Sequence, residues 1–333
     1  PNPHWQGDPP RIENITIRVV ENTTALGAQL LSGSIDMIAG ELGLNVDQAL
    51  GLAGRLDRRN NPITFTAKPG LIYEHIELRL DTAPFDDVRV RRALLMAIDR
   101  DTLVSQLFGG HQEIAHSNIH PLDTMYQANP RITPFAMAGA AALLDAAGCP
   151  LQNGRRVCAN GTPMRIVFQT TAGNQSRERV QQFIQSAWQK LGIEVTLKNE
   201  TPRVLFSETM QKRQFEGAVM FAWLSAPRSI PKTTLHSSMI PREENGWSGQ
   251  NFSGHASDKV DQIIDALEVE CDAADQTRLW GELQDYYTSE LPALPLYFRA
   301  ETHFIPNNLQ GVRPTGHQFP SPLWAQDWHF DEN

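Results

Sequence analysis

The 333-residue chain is 41% hydrophobic and 20% charged, an ordinary balance for a folded protein with one large core or two smaller ones. Its formal net charge of -9 argues against nucleic acid or an anionic membrane as the main partner. No apolar run approaches the roughly 20 residues that span a bilayer, so no transmembrane segment is expected. The chain opens on Pro1 with no signal-like segment ahead of it, and so reads as processed, trimmed or excised.

NITIRVV (14–20) alternates and is rich in β-branched residues, which predicts a strand. Thr23 or Thr24 can cap a short helix through Ala25, Leu26, Gln29 and Leu30, which Gly33 stops. SIDMIAG (34–40) and LIYEHIELRLD (71–81) are again strand-like. Pro84 closes the second of these, and Asp86 and Asp87 suit the positive end of a helix. Val90, Ala93, Leu94, Ala97 and Ile98 recur at three- and four-residue intervals and define its buried face. Asp99 can cap a second helix carrying Leu103, Leu107 and Phe108, stopped by Gly109 and Gly110. Arg89, Arg91, Arg92 and Arg100 fall on the wetter side, as a solvated face.

Phe135 to Ala147 predicts an alanine-rich helix, and MRIVFQT (164–170) a strand. Ser176 opens a helix through Val180, Phe183, Ile184, Ala187 and Leu191, after which IEVTLKN (193–199) returns as a strand. PRVLFSETMQKRQ predicts a helix, and FEGAVMFAWL (215–224) a central strand. This β-α-β-α-β order indicates an α/β lobe with covered sheet faces. Ser257 caps a helix with Val260, Ile263, Ile264 and Leu267 inward, a second helix covers Ala274 to Tyr287, and LPLYFRAETHFI (294–305) is extended.

Cys149 and Cys158 bracket the turn-rich CPLQNGRRVC and are spaced to close a small disulfide, which would imply an oxidising compartment. Two unpaired thiols are the alternative. Cys271 lies inside a helical pattern. Zinc is not expected, since no second pair completes a ligand set. His111, His116 and His120 with Glu113 are the densest possible metal cluster, but they occupy a loop that fixes no common face, so no metal and no cofactor are expected. There is no HExxH, phosphate loop or dinucleotide fingerprint. GWSGQNFSG (246–254) misses the register of a serine elbow.

Aromatic and polar density stands out instead. Phe221, Trp223 and Ser225 alternate toward the C-terminal end of the central strand, where ligands of α/β sheets tend to sit. Trp247, Ser248 and Asn251 lie in the loop beyond, and together these residues are the candidate ligand-binding set. Phe221 and Trp223 also suit a plain core role. Arg228 could meet a ligand carboxylate or stand on a solvated rim.

PNPHW, IENITIRVVENTTALGAQLLSGSIDMI, PFDDVRVRRALLMAIDRDTLV, LGIEVTLKN and LPALPLYFR occur at intervals that span nearly the whole chain. Together they resemble the extracytoplasmic solute-binding proteins of the peptide/nickel (oligopeptide and dipeptide) class that serve ABC importers. His4 stands where the family's turn usually has tyrosine. The resemblance implies an α/β, two-lobed periplasmic-binding-protein-like fold, with one lobe nearly complete and the other incomplete at its N-terminal side. Residues 1–83 would be the middle of lobe I, 84–300 the second ligand-binding lobe, and 301–333 the return to lobe I. A further N-terminal portion of about 200 residues, the size of a domain, would then be missing.

The implied activity is capture of a peptide or peptide-like solute in the periplasm or at the extracytoplasmic surface, with delivery to ABC permease subunits and no catalysis. Peptide-binding relatives often place an aspartate shortly after the strand tryptophan. Here Trp223 is followed by Leu224, Ser225, Ala226, Pro227 and Arg228, which puts binding of a free amine in doubt. Opines, sugars and metal chelates are alternative ligands. The competing readings are a secreted hydrolase using a serine or histidine near 246–255, and a binding domain used in assembly without transport.

Overall fold

The computed structural model describes residues 4–20, 22–40, 43–59, 61–128, 130–159, 161–316 and 320–331. Most of the PNPHW turn therefore lies outside the described residues. In chain order the elements are α1 (Thr23–Ser32), α2 (Val46–Asp57), β1 (Ile63–Leu78), α3 (Val88–Met96), α4 (Arg100–Phe108), β2 (Glu113–Ile114), α5 (Met137–Ala146) and the short β3 (Leu151–Gln152) and β4 (Arg155–Arg156). There follow β5 (Arg165–Thr171), α6 (Gln175–Lys190), β6 (Glu194–Glu200), α7 (Pro202–Val204) and β7 (Gly217–Leu224). The chain ends with α8 (Lys232–Leu235), α9 (Asp258–Val269), α10 (Ala273–Glu290), β8 (Leu294–Pro306), β9 (Leu309–Gln310) and β10 (His329–Phe330).

Two compact units result. The first comprises Pro1–Leu71, Phe108–Glu113 and Arg299–Asn333, and the second Ile72–Leu107 and Ile114–Phe298. The division falls within β1 and β8 rather than at 83/84 and 300/301. Each of these strands is a continuous extended segment, so Pro84 ends a turn inside the second unit and does not mark its border.

In the first unit, α1 and α2 bury Leu30, Ala49, Leu52 and Leu56 against Ile38, Leu44 and Phe304. Asn45 and Gln48 form a reciprocal capping box at the start of α2, a helix that the sequence reading passed over. Asn22, not a threonine, caps α1 by accepting the Ala25 amide at 2.8 Å. Gly40 sits hard against His303, whose Nδ1 accepts its amide at 3.0 Å, and any Cβ there would overlap the imidazole. The strand expected at 14–20 does not form. Ile15, Ile17 and Val19 are 47%, 78% and 95% exposed, because alternation makes a strand only where a ladder partner lies alongside, and none does among the described residues. The 34–40 segment is likewise reduced to a single bridge, Ile38 to Phe304.

The sheet of the second unit takes its strands in the order β2-β8-β1-β7-β5-β6. β7 runs antiparallel to β1 and parallel to β5, which is parallel to β6. The α6 crossover buries Val180, Ile184, Ala187 and Trp188. Asp87 caps α3 as expected, and Gly109 and Gly110 end α4 at φ +58 and +80. The helix expected over 202–214 is a single α turn followed by a π-helix, Leu205–Met210, which turns Leu205, Thr209 and Met210 inward.

Two of the four arginines assigned to solvent are buried. Arg91 donates to the carbonyls of Phe85, Asp86 and Glu290, and Arg100 to those of Ala115, Thr133 and Pro295. Each guanidinium spends its donors on main-chain carbonyls from separate segments of the chain. Cys149 and Cys158 are joined as a disulfide. Cys271 is free and exposed between α9 and α10, not inside a helix.

Candidate functional site

The candidate residues all fall in the second unit, on β7 and in the segments that follow it. This strand is buried on both faces from Gly217 to Phe221 and opens from Ala222 to Leu224. The register with β1 sets three cross-strand pairs: Val219 with Glu77, Phe221 with His75, and Trp223 with Tyr73. Side chains two apart share a face, so these six residues line one side of the sheet.

Phe221 is 0% exposed, within a cluster of Leu205, Met210, Phe215, Val219 and Phe252. It therefore offers a ligand no surface, and its role is to support its neighbours. The His75 ring stacks flat on Tyr73 with centroids 4.8 Å apart and meets Phe221 edge-on at 4.5 Å. Tyr73 and Tyr287 share a hydroxyl hydrogen bond of 2.9 Å, and burial pushes both phenols up, so they stay neutral. On the opposite face Glu74, fully buried, is paired with Arg177 at 2.6 Å, and Arg177 also donates to Thr171 Oγ1 at 3.0 Å. The floor of the region is thus packed, with the buried Glu77 carboxylate 3.6 Å from His75 Nε2 as the one charged member of the six residues on the Phe221 face.

Trp223 differs from the residue two before it. It is only half-buried, stacked on Phe252 at 6.2 Å and 21°, with Phe221 edge-on at 5.3 Å. Its Nε1 is shielded from solvent and has no hydrogen-bond partner among the described residues. A shielded donor without an acceptor is unusual enough in a folded protein to require explanation. Ser225, two residues on, is half-buried.

Asn251 is 0% exposed and saturated. Its amide donates to the carbonyls of Leu235, His236 and His255, and its Oδ1 accepts the His255 amide and the Ser253 hydroxyl. Such an asparagine knits a turn together and has nothing left for a ligand, which corrects its place in the candidate set. Trp247 is half-buried at φ +60, a region costly for a bulky side chain. It is held there because its N–H donates to Arg242 O at 2.8 Å and its carbonyl accepts the Gln211 side-chain amide. Ser248 is exposed beside it. Arg228 is exposed too, at φ +57, with its amide on Asp123 Oδ2 at 2.8 Å and its guanidinium on Gln276 Oε1 at 2.5 Å.

The structure thus brings Phe221 and Trp223 into one aromatic cluster, and ties Trp247 to it through Gln211, which follows the π-helix. Arg228 is held by a different set of neighbours. Phe252, Asp123 and Gln276 were not singled out from sequence. Phe252 carried a usable signal, an aromatic next to a residue already chosen, whereas the other two are fixed only by tertiary contact.

Among the described residues no group of three or more histidine, cysteine or acidic side chains could hold a metal. Burial pushes His116 and His120 down to about 4. His120 Nδ1 accepts the Leu122 amide at 2.8 Å, which requires that nitrogen to be unprotonated.

Residues 1–238 match the family described as bacterial extracellular solute-binding proteins, family 5. The glutathione-binding protein GsiB of Salmonella choleraesuis is 24% identical over 310 residues, covering 92% of this chain and 56% of that protein. The oligopeptide-binding protein AppA of Bacillus subtilis is 23% identical, covering 91% and 54%. The chain therefore spans about half the length of these curated relatives. Among solved structures, an oligopeptide-binding protein of Thermus thermophilus in complex with a pentapeptide superposes with a TM-score of 0.78 at 29% identity, covering 93% of this chain and 55% of the other. NikA of Brucella suis, in complex with Fe(III)-EDTA, gives 0.82 at 19% identity, covering 98% and 64%. The mixed α/β fold is that of the two-lobed periplasmic binding proteins. No helix among the described residues is long and apolar enough to cross a membrane. This chain belongs to the bacterial extracellular solute-binding proteins of family 5.

Proposed function

We propose that the chain binds a peptide or peptide-like solute outside the cytoplasm and contributes to its delivery to an ABC permease, with no covalent step. The observation that carries this reading is Trp223. Its partly buried ring keeps some accessible apolar surface, and its shielded Nε1 holds an unmatched donor at the C-terminal end of a central strand. A ligand amide supplies both complements, a flat group to stack and a carbonyl oxygen to accept. Ser225, Trp247 and Ser248 are the further candidates for contact with the solute, and Phe221 supports Trp223 edge-on from within the core. The relatives' names, glutathione-binding and oligopeptide-binding, support a solute of this chemistry. The Cys149–Cys158 disulfide supports an oxidising, extracytoplasmic compartment.

The hydrolase alternative loses support from the same region. His255 directs Nε2 to the Tyr286 hydroxyl at 3.0 Å and Nδ1 to Leu235 O at 3.4 Å, and the Ser253 hydroxyl donates to Asn251 Oδ1. Both imidazole nitrogens are thereby occupied by groups other than a nucleophile.

Calorimetric titration of Trp223→Phe and Trp223→Ala proteins with a mixed pool of tri- to pentapeptides tests the reading. Losing the indole N–H alone lowers affinity about tenfold, the worth of one well-made buried hydrogen bond, and losing the ring lowers it further. Unchanged affinity in both variants would remove Trp223 from the site.

A further inference from the structure

The loop leaving β7 carries two cations, Arg228 and Lys232, and no acid between Leu224 and Leu235. The two are compensated differently. Lys232 is neutralised by Glu268 at 2.5 Å, with Asp265 at 3.8 Å. Arg228 makes no ion pair among the described residues, and its guanidinium donates instead to the neutral Gln276 amide.

Two neighbours hold it, Asp123 at the backbone and Gln276 at the guanidinium. Asp123 accepts the Arg228 amide through Oδ2 and the Met125 amide through Oδ1 at 2.9 Å, so this carboxylate serves the main chain. Gln276 is itself oriented, because its amide donates to Glu270 O at 2.6 Å. The backbone at φ +57 is strained for arginine and persists only because these contacts determine it. A surface arginine is ordinarily a poor anchor because holding one rotamer costs entropy on binding. Here the hydrogen bond from Nη2 to Gln276 Oε1 already restrains the guanidinium, which lessens that cost. What remains is a planar fork with Nε and Nη1 donors unpartnered among the described residues, in the geometry that receives a carboxylate through two parallel hydrogen bonds.

We infer that Arg228 is a specificity-determining residue that selects solutes carrying a carboxylate. The inference rests on the proposal that solute is bound at the C-terminal end of β7. The carboxylate is either a peptide's C-terminus or an acidic side chain, and the chemistry at Arg228 is the same for both.

The experiment is calorimetric titration of the purified chain and its Arg228→Gln and Arg228→Lys variants with three pentapeptide pools. One pool has free C-termini and no acidic side chains, one is the same pool amidated, and one is amidated but carries a single glutamate. The wild type binds at least one carboxylate-bearing pool about tenfold or more tighter than the plain amidated pool, the scale of a charge-assisted pair. Which pool it prefers identifies the source of the carboxylate. In Arg228→Gln the preference collapses to about 1, in Arg228→Lys it is partly kept, and both variants remain folded by circular dichroism. Equal wild-type affinity for all three pools, or a preference that survives in Arg228→Gln, overturns the inference and leaves the binding reading standing. Failure of the wild type to bind any pool overturns both.

Discussion

Phe221 and Trp223 lie two residues apart on one face of one strand, and they show how a strand passes from scaffold to surface. Phe221 is enclosed on all sides. Trp223 packs on the same cluster but is only partly buried and keeps an unmatched N–H. The asparagine and serine of the adjoining loop divide the same way, Asn251 saturated within its turn and Ser248 open to solvent. What distinguishes the two groups is unsatisfied capacity, since each side holds one aromatic and one polar residue.

The largest expected break in that contrast is Phe221→Ala. It empties a fully packed position and should cost about 3–5 kcal/mol in urea unfolding, lowering ligand affinity only through lost support. Trp223→Phe should do the reverse, changing stability by less than about 1 kcal/mol, because it removes an unmatched buried donor, while lowering affinity. If Phe221→Ala instead leaves stability unchanged, the division into sealed floor and open surface is wrong.

A smaller effect comes from pH. His120 is held neutral, with its folded value near 4 against 6.5 for the ordinary imidazole, and burial is the cause. As pH falls below 6.5 the unfolded chain takes up a proton that the folded chain refuses until about pH 4. Stability therefore declines across that window and levels off below it. His120→Asn keeps an acceptor for the Leu122 amide and cannot titrate, so its stability should fall less steeply between pH 6.5 and 4 than that of the wild type. Parallel curves would show that His120 is solvated in the folded state.

Much of the scaffold was legible in the sequence where two signals agreed. Val260, Ile263, Ile264 and Leu267 have helical spacing behind a cap-type serine, and all four are buried in α9. A single signal misled. Alternation at 14–20 produced extended chain without a partner, and charge placed Arg91 and Arg100 in solvent although buried carbonyls hold them. α2 was missed although Val46, Ala49, Leu52 and Leu56 recur on one face, because glycines interrupt its pattern. In the candidate site, sequence located the strand end and its loop but could not tell Phe221 and Asn251 from Trp223 and Ser248. That distinction depends on long-range neighbours such as Leu205 and His236, to which local pattern is blind.

The most direct test of the central claim is to mix the purified chain with the peptide pool, recover what is bound, and determine its mass. The account predicts retained peptides of unchanged mass, with retention reduced in Trp223→Ala although the Phe221 floor is left intact. Peptides returned cleaved, or retention indifferent to Trp223, would contradict it.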